Sequence, residues 1–548
     1  MRVMAMCRRI IVAALCASAP AAYADVTMSQ MFSDNMVLQR NMKVPVWGQA
    51  KPGEKVTVAI AGKQAVAKAN AKGEWMAKLG PLTAGGPYTL SVTGLNKITL
   101  TNVLVGEVWI CSGQSNMELG MTQVKNSGSE IAAANCPQIR LFTVKHGIDP
   151  RPQHRLSGEA TWLECSPKTV VQNGWGGFSG VGYFFGRALQ EKLKVPVGMI
   201  NIAIGGSSCQ SWISADGLKN MTEFTNAVAL LKAAPDFSSI SDQVREDSKK
   251  GGDSMKRAIE AWCQANDPGK KLAMTCLSIP WNRNQAMMLA CPPAQVAAMP
   301  PERDHNFPGV LFNGMISPVI PFGIRGVIWY QGENDVGRSG LYGKLLTGMI
   351  KDWRTHWGQG DFPFGIVQLP PFNYGGDTSP KFAELCNAQL IASKTVPNAG
   401  LVVTTDIGDA GNIHPNNKQD VGKRLALWAQ AKVYGDLKLV YSGPIYDSMT
   451  VAGKKIKLQF KQCGGGLVSS DSKPLREFTI AGPDKVFHPA NAEISGNTVV
   501  VSSDAVAAPV AVRHAWQQTP NPNLANKEGL PASLFRTDDL PGVSVKAK

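Results

Sequence analysis

The sequence predicts an α/β fold, with a parallel sheet covered by helices on both faces and a smaller β region at each end. Between Val103 and Gly435, apolar strands alternate with amphipathic helices. On both sides of this segment, short strands are bounded by glycine, proline or asparagine. The 548 residues are also too many for one hydrophobic core. We therefore expect several domains, of which the middle one is α/β.

The first 24 residues are typical of a signal peptide. A positive region with Arg2, Arg8 and Arg9 is followed by an apolar stretch from Ile10 to Ala17. An A-x-A cleavage site follows at Ala22 to Ala24. This predicts a mature chain that begins at Asp25 and acts in the periplasm or outside the cell. No later stretch is long and apolar enough to predict a membrane-spanning helix.

Charge and cysteine content argue against several classes of protein. Removal of three arginines and no acidic residue lowers the formal net charge from +15 to +12. The basic residues are scattered, which indicates a solvated surface and not a nucleic-acid-binding face. The eleven cysteines form no C-x-x-C pair and there is no H-E-x-x-H motif, so we expect no metal and no cofactor. Cys263, Cys276 and Cys291 are the best candidates for a local disulfide.

The flanking regions are predicted to be β-rich. Residues 25–102 include KVPVWGQA, EKVTVAIAG and GGPYTLSVTG, which are typical of a β-sandwich-like domain. Residues 436–548 include KKIKLQF, REFTIAG and NTVVVSS, which predict a second β region of the same kind. We expect both regions to be structural or to orient a substrate, because their strands carry no convergent set of polar residues.

The middle region, residues 103–435, is predicted to hold five buried strands, in VLVGEVWIC, VGMINIAI, RGVIWYQ, FGIVQL and AGLVVTT. A first helix over Ser179–Leu193 begins with a serine N-cap. Two further helices carry apolar residues on one face, namely Leu341, Leu345, Met349 and Trp353, and then Val421, Leu425 and Trp428. Residues 215–308 interrupt this pattern, and we expect a mostly helical insertion there.

Polar clusters follow four of these strands. They are Ser112 to Asn116, Gly205 to Ser208, Gln331 to Asp335, and Asp406 to His414. The carboxyl ends of parallel strands meet at one edge of the sheet, so these clusters are expected to converge. A serine, a histidine and amide donors are the groups that acyl transfer requires. Each cluster alone is more often a turn or a helix cap, but their joint occurrence at strand ends favours a catalytic site.

Four of the motifs, CSGQSNME, IGGSSCQSW, WYQGENDV and IHPNNKQDVGKRLA, resemble the sialate O-acetylesterase family, a branch of the SGNH hydrolases. FSDNMVLQR, FNGMISP and the segment from PVAVRHAW to SLFRTD are similar to the same family. The resemblance therefore covers nearly the whole mature chain outside 215–308, and it implies an SGNH-type, flavodoxin-like parallel sheet. Met117 stands where a G-x-S-x-G elbow needs its second glycine, which argues against the α/β-hydrolase fold.

The resemblance implies Ser115 as the nucleophile and His414 as the general base. The family's block glycine falls on Gly205, with Gly206 adjacent, and its backbone N–H is an expected oxyanion donor together with that of Ser115. A side-chain donor is expected at Asn334 or at Gln331, and the sequence leaves this choice open.

The acid that orients His414 is the least certain member of the site. SGNH enzymes usually place an aspartate three residues before the histidine, but this chain has Gly411 there. We expect Asp409 to serve as the acid. Asp406, Glu333 and a Ser–His dyad without a carboxylate are the alternatives.

The expected function is therefore that of a serine esterase. It would remove O-acetyl groups from sialic acid or from a plant-type polysaccharide or oligosaccharide. Two alternatives stay open at this point. One is a general short-chain acyl esterase, and the other is a non-catalytic carbohydrate-binding protein on an esterase scaffold.

Overall fold

A computed structural model of the protein describes residues 25–233, 304–376 and 379–543. The predicted signal peptide lies outside these ranges, and so do the three cysteines named above as disulfide candidates. The predicted insertion falls partly outside them. At its start, the structure has two short helices, Ala215–Leu218 and Thr225–Ala233, with a 3₁₀ turn at Thr222–Phe224 between them.

The N-terminal region consists of short strands, mostly in antiparallel pairs, that lead into one long strand, with which the short strand Val37–Gln39 pairs in the parallel direction. They are β1 Thr27–Met28, β2 Val37–Gln39, β3 Val44–Gln49, β4 Lys55–Ile60, β5 Lys63–Lys68, β6 Glu74–Leu79, β7 Gly85–Thr93 and β8 Lys97–Gly113. Strands β1, β3 and β6 form one sheet. The first half of β8 pairs with β7, and the second half enters the central sheet. The predicted boundary between residues 102 and 103 therefore falls inside a continuous strand.

The central sheet has β8 in its middle. The remaining strands are β9 Cys136–Thr143, β10 Leu163–Cys165, β11 Val197–Ala203, β12 Gly326–Tyr330, β13 Phe364–Val367 and β14 Ala399–Val402, in the order β10-β9-β11-β8-β12-β13-β14. The pairs from β9 to β14 are parallel, and β10 pairs with β9 in the antiparallel direction. The fold is thus α/β with a large mixed sheet. The chain adds β9 and β11 on one side of β8 and then β12, β13 and β14 on the other side. Ligand sites of α/β proteins lie at such a point, where the strand order changes direction.

Helices cover both faces of this sheet. The short helices are α1 Ser115–Glu118, α2 Ser127–Ala132, α4 Ala215–Leu218 and α5 Thr225–Ala233. The longer helices are α3 Gly180–Leu193, α6 Ser339–Trp357, α7 Lys381–Thr395 and α8 Lys418–Lys432. Trp109 of β8 packs against Phe185 of α3 and Trp428 of α8. Trp329 of β12 points to the other face and packs against Trp353 of α6.

The first predicted helix is confirmed with its cap. The Oγ atom of Ser179 accepts the N–H of Gly182 at 3.0 Å, and the helix ends at Leu193. The apolar face predicted for α6 is also buried, with Leu345, Met349 and Trp353 fully enclosed. The serine cap therefore located α3, and the amphipathic pattern at helical spacing located α6, because its buried face is continuous.

The C-terminal region is made of small antiparallel sheets. Its strands are β15 Ile445–Ala452, β16 Lys455–Lys461, β17 Leu467–Ser469, β18 Phe478–Ala481, β19 Phe487–Pro489, β20 Asn491–Ser495, β21 Thr498–Ser502, β22 Ala511–His514, β23 Leu524–Asn526 and β24 Phe535–Arg536. A hydrogen bond of 3.1 Å from Gln368 to Ser533 joins this region to the loop after β13. Across the described ranges, the helices are all too short or too polar to span a membrane.

Glu107 is a fully buried carboxylate in β8 at the junction between the N-terminal region and the central sheet. It accepts hydrogen bonds from Arg40 at 2.5 Å and from Arg325 at 2.8 Å. The amide of Gln39 donates to it as well, at 3.1 Å. A buried charge is tolerated only when its oxygens are paired in this way. Glu107 therefore fixes how the segment around β2 and the start of β12 meet at β8.

We predict that Glu107→Ala lowers the free energy of unfolding by about 3 kcal/mol, because two arginines lose their buried partner. Both arginines reach solvent, so the effect should lie at the lower end of what a broken buried pair costs. The measurement is urea unfolding followed by tryptophan fluorescence. Glu223→Ala removes the exposed pair with Lys344 and serves as the control, with an expected change within about 0.5 kcal/mol. Equal effects of the two substitutions would contradict the prediction.

Candidate active site

The predicted nucleophile lies where β8 ends and turns away from the sheet. Gly113, the last residue of β8, has a φ of +137°, in the region that favours glycine. A Cβ atom at this position would stand 2.1 Å from the carbonyl oxygen of Tyr330 on β12. Only glycine allows this turn, and helix α1 begins two residues later at Ser115. The local sequence thus places the serine at the carboxyl end of the central strand.

Ser115 and His414 are brought together by the fold. The Oγ atom of Ser115 is 2.8 Å from Nε2 of His414, although 299 residues separate the two in the chain. Ser115 is 9 % exposed and His414 is half-buried, so the pair is at the boundary between interior and solvent. Partial burial lowers the pKa of His414, and the nearby charge of Lys418 lowers it further. A neutral imidazole at this distance is suited to accept the serine proton.

Asp409, the expected acid, does not contact the imidazole in this structure. Its Oδ1 atom accepts the backbone N–H of Gly411 at 2.8 Å. The backbone N–H of His414 donates to Oδ1 of Asn412 at 2.9 Å, and this bond does not involve the ring. In the part of the chain that the structure describes, no carboxylate hydrogen-bonds the His414 ring. The role of Asp409 therefore stays a prediction without a supporting contact.

The two alternative carboxylates have other partners. Asp406 forms a two-bond ion pair with Arg424, at 2.7 and 2.6 Å. Glu333 is buried, and its Oε1 atom accepts a hydrogen bond from the side chain of Asn116 at 2.5 Å. Among the alternatives that the sequence leaves open, these contacts agree best with a Ser–His dyad.

Gly205 lies beside Ser115, the predicted nucleophile, as expected of the block glycine. A Cβ atom on Gly205 would be 3.5 Å from the Cβ of Ser115. Its backbone N–H donates to Oε2 of Glu118 at 2.7 Å, and Oε1 of the same carboxylate is 2.9 Å from Nε2 of His146. The hydrogen bond to Glu118 raises the pKa of His146. Gly205 thus lies next to Ser115 with its N–H bonded to a buried glutamate, and its role as an oxyanion donor stays a prediction.

The two candidates for the side-chain donor are both engaged elsewhere. Gln331 is fully buried and donates to the carbonyl of Ser207 at 3.0 Å and to Asp335 at 2.7 Å. Asn334 is half-buried and donates to the hydroxyl of Ser208 at 2.6 Å. Ser207 and Ser208 follow β11, whereas Gln331, Asn334 and Asp335 follow β12, so these bonds join the ends of the two strands. The choice between them stays a prediction.

Comparison with known proteins places this geometry in a family. A profile described as carbohydrate esterase, sialic acid-specific acetylesterase, matches residues 105–241 and 311–430, which include all the candidate site residues. A solved structure of a carbohydrate acetylesterase from Xanthomonas citri is 34 % identical, covers 94 % of this chain and 100 % of its own, and superposes with a TM-score of 0.76. The chain belongs to the sialic acid-specific acetylesterase family of carbohydrate esterases.

Curated relatives from mammals agree with this membership. Sialate O-acetylesterase from Rattus norvegicus is 28 % identical over 449 residues, which is 76 % of this chain and 75 % of the rat protein. Sialate O-acetylesterase from Homo sapiens is 25 % identical over 552 residues, which is 93 % of this chain and 92 % of the human protein. The resemblance drawn from the four motifs is therefore confirmed at the level of the family.

Sequence reasoning missed several residues that form this member's site. They are Gln114, Glu118, His146, Trp175 and Lys418. The Oε1 atom of Gln114 accepts the N–H of Gly332 at 3.1 Å and so ties the end of β8 to the end of β12. Glu118 lies three residues after the nucleophile on a helical turn, a spacing that brings both side chains to one face. That spacing was a usable signal, whereas nothing local in the sequence pointed to His146.

We predict that Asp409→Asn lowers turnover on an acetyl ester by less than about tenfold. Loss of the acid from a complete triad costs on the order of 10⁴ in turnover, and Asp409 makes no contact that such a role requires. Turnover is measured on p-nitrophenyl acetate, with thermal melting as the check on folding. Asp406→Asn is the comparison, since it breaks a structural ion pair and is expected to lower the melting temperature. A loss above about 1,000-fold for Asp409→Asn, without unfolding, would restore it as the acid.

Proposed function

We propose that this chain is a serine-dependent O-acetylesterase that acts on acetylated sialic acid or on an acetylated plant-type polysaccharide or oligosaccharide. The observation that carries this proposal is the hydrogen bond of 2.8 Å between Ser115 Oγ and His414 Nε2. Membership of a carbohydrate esterase family supports the substrate class. The names of the mammalian relatives support sialate esters, and that of the Xanthomonas citri structure supports carbohydrate acetyl esters in general.

In the first half of the reaction, Ser115 Oγ attacks the acetyl carbonyl while Nε2 of His414 takes the serine proton. The ester C–O bond then breaks, and His414 returns the proton to the departing sugar hydroxyl. This leaves acetyl-Ser115 and a free alcohol. The lowered pKa of His414 keeps the imidazole neutral at neutral pH, which is the form that acts as a base.

In the second half, His414 removes a proton from water as that water attacks acetyl-Ser115. Acetate leaves and the proton returns to Ser115. In both halves, negative charge develops on the former carbonyl oxygen. We propose that the backbone N–H groups of Ser115 and Gly205 stabilise it, together with the side chain of Asn334 or Gln331. The Gly205 N–H is bonded to Glu118 here, so the oxyanion would compete with that carboxylate for it.

The proposed place of action is the periplasm or the outside of the cell, because residues 1–24 read as a cleavable signal peptide. Acetylated glycans of large size are found outside the cytoplasm, so the two parts of the proposal agree. The paired Ser115 and His414 argue against the non-catalytic alternative, since a protein that only bound carbohydrate would not need a base within hydrogen-bonding distance of a serine.

We predict that Ser115→Ala abolishes hydrolysis of p-nitrophenyl acetate and of acetylated oligosaccharides. A fluorophosphonate should label the unsubstituted protein once and Ser115→Ala not at all. Peptide mass spectrometry locates the label. Ser129→Ala, which changes an exposed serine on α2, is the control and should keep full activity. Continued hydrolysis by Ser115→Ala, with labelling at another serine, would overturn the proposed nucleophile.

Trp175 favours a carbohydrate over a simple acyl ester as the substrate. It is the one tryptophan of the described ranges that is exposed, at 42 %. Its ring is 5.0 Å from that of His414, at an angle of 74°, so this contact leaves indole surface open to solvent beside the catalytic base. The loop is rigid, because the Trp175 carbonyl accepts from Gly120 N and Gln123 Nε2, both at 2.9 Å. A flat apolar face held in this way suits the C–H face of a sugar ring.

We predict that Trp175→Ala raises KM for an acetylated oligosaccharide by about 3- to 10-fold, the loss expected from one aromatic contact of about 1 kcal/mol. The value of kcat/KM for p-nitrophenyl acetate should stay within about twofold, because that ester has no sugar ring. Kinetics on both substrates separate the two effects. Val171→Ala, an exposed residue of the same loop, is the control. Parallel losses on both substrates would show that Trp175 supports His414 and binds no sugar.

A further inference from the structure

Asn116 joins three segments of the chain behind the catalytic pair. It follows the nucleophile directly in the chain and is fully buried. Its Nδ2 atom donates to the carbonyl of Ile413 at 2.8 Å and to Oε1 of Glu333 at 2.5 Å. Its Oδ1 atom accepts from Nζ of Lys418 at 2.5 Å. One amide therefore holds the residue before His414, the cluster after β12 and the start of α8 in a single arrangement.

Lys418 is the least expected member of this group, because a buried lysine is costly. Its side chain is fully enclosed, and burial lowers its pKa to about 7. The charged and titratable groups that face it are Glu333 and Tyr330 from the β12 strand end and His414 from the preceding loop. Its ammonium group donates to a neutral amide oxygen, with Glu333 as the nearby opposite charge, and a buried charge of this kind adds little or nothing to stability compared with an apolar residue of the same size. A role other than stability is therefore the better explanation for Lys418.

The position of Lys418 is itself fixed by the helix that it begins. The side chain of Asn417 caps α8 by accepting the N–H of Asp420 at 3.2 Å. Val421 and Leu425 follow on the same face of α8 and are buried against the sheet. Neither end of the lysine side chain is free to move, so its contact with Asn116 is defined by the fold.

These contacts act on His414 through its backbone. The carbonyl of Ile413 accepts from Asn116, and the backbone N–H of His414 donates to Asn412, so both polar atoms of the peptide group that precedes the histidine are held. In a complete triad, a carboxylate bound to the imidazole fixes its orientation. In the described part of this chain, the ring lacks a bond to a carboxylate, and fixing the peptide group that precedes His414 limits where the ring can lie.

We propose that Asn116, Lys418 and Glu333 form a positioning network that holds His414 against Ser115. The network orients the imidazole, as a carboxylate bound to the ring does in a complete triad. The proposal rests on the serine esterase function proposed above. The three residues are positioning residues, since their side-chain hydrogen bonds in the described part of the chain link them to one another and to the peptide before His414, whereas the Ser115 oxygen bonds to His414.

Lys418→Met tests the network because it keeps the length of the side chain and removes its charge and hydrogen bond. We expect kcat on p-nitrophenyl acetate to fall by about 10- to 100-fold with KM nearly unchanged, as for loss of an outer partner that orients a reacting group. The acid limb of the pH profile of kcat/KM should move to higher pH. The positive charge of Lys418 lowers the pKa of His414, so its removal lets that pKa rise. A merely structural role would not move this limb.

Asn116→Ala provides the second variant, in case Lys418→Met does not fold. It breaks the bond to the Ile413 carbonyl and leaves the lysine charge in place. We expect a similar fall in kcat without a shift of the acid limb. Lys423→Met, which changes an exposed lysine on the same helix, is the control for both and should behave like the unsubstituted protein. Thermal melting of each variant reports whether it is folded.

The outcomes separate this inference from the function on which it rests. If Ser115→Ala is inactive while folded Lys418→Met and Asn116→Ala keep their kcat and their acid limb, the network has no positioning role and the esterase proposal stands. If Ser115→Ala stays active, the proposed serine esterase function is wrong, and the network that rests on it is wrong as well. A fall in kcat for both variants, with a shift of the limb for Lys418→Met alone, supports the network.

Discussion

The site depends on the parallel pairing of β8 with β11 on one side and with β12 on the other. This pairing brings Gly113, Ala203 and Tyr330 to the same level of the sheet, since Gly113 lies opposite both of the others. Three loops must then leave the sheet at one place, and His414 reaches the same place from the loop after β14. The hydrogen bond between Ser115 and His414 forms because backbone hydrogen bonds far from the catalytic atoms set the height of each strand end.

Strand ends were predictable because they combine two strong signals, a run of buried apolar residues and an abrupt change to small polar ones. Ser115, Gly205 and His414 were singled out in this way, and the structure brings Ser115 and His414 within hydrogen-bonding distance. The helix at Gly180–Leu193 was predicted from its serine cap. The acid could not be chosen from the sequence, because the path of the loop from Asp406 to His414 depends on contacts with distant residues such as Arg424. Spacing along a loop without regular structure carries no information on which side chain turns inward.

Lys418 shows that a usable signal was present and was overlooked. It lies three residues before Val421 and seven before Leu425, so the helical period that identified the buried face of α8 also places the lysine on that face. A charged residue in the first turn of a helix is ordinarily taken as exposed. The buried face of a helix is better defined by position than by residue type, and a charged residue on it is then a candidate for a functional role.

Strand β8 also determines the size of the unit that folds. It is 17 residues long and contributes its first half to the N-terminal sheet and its second half to the centre of the α/β sheet, with Glu107 buried at the junction. The family profile begins at residue 105, within this strand. A boundary drawn by homology would therefore cut a backbone that two sheets share, and it would expose the edge that β2 and β7 cover. The smallest independently folding piece that contains Ser115 is accordingly larger than the region recognised as the esterase, and gene fusions or domain exchanges in this family should keep the N-terminal strands with the catalytic sheet.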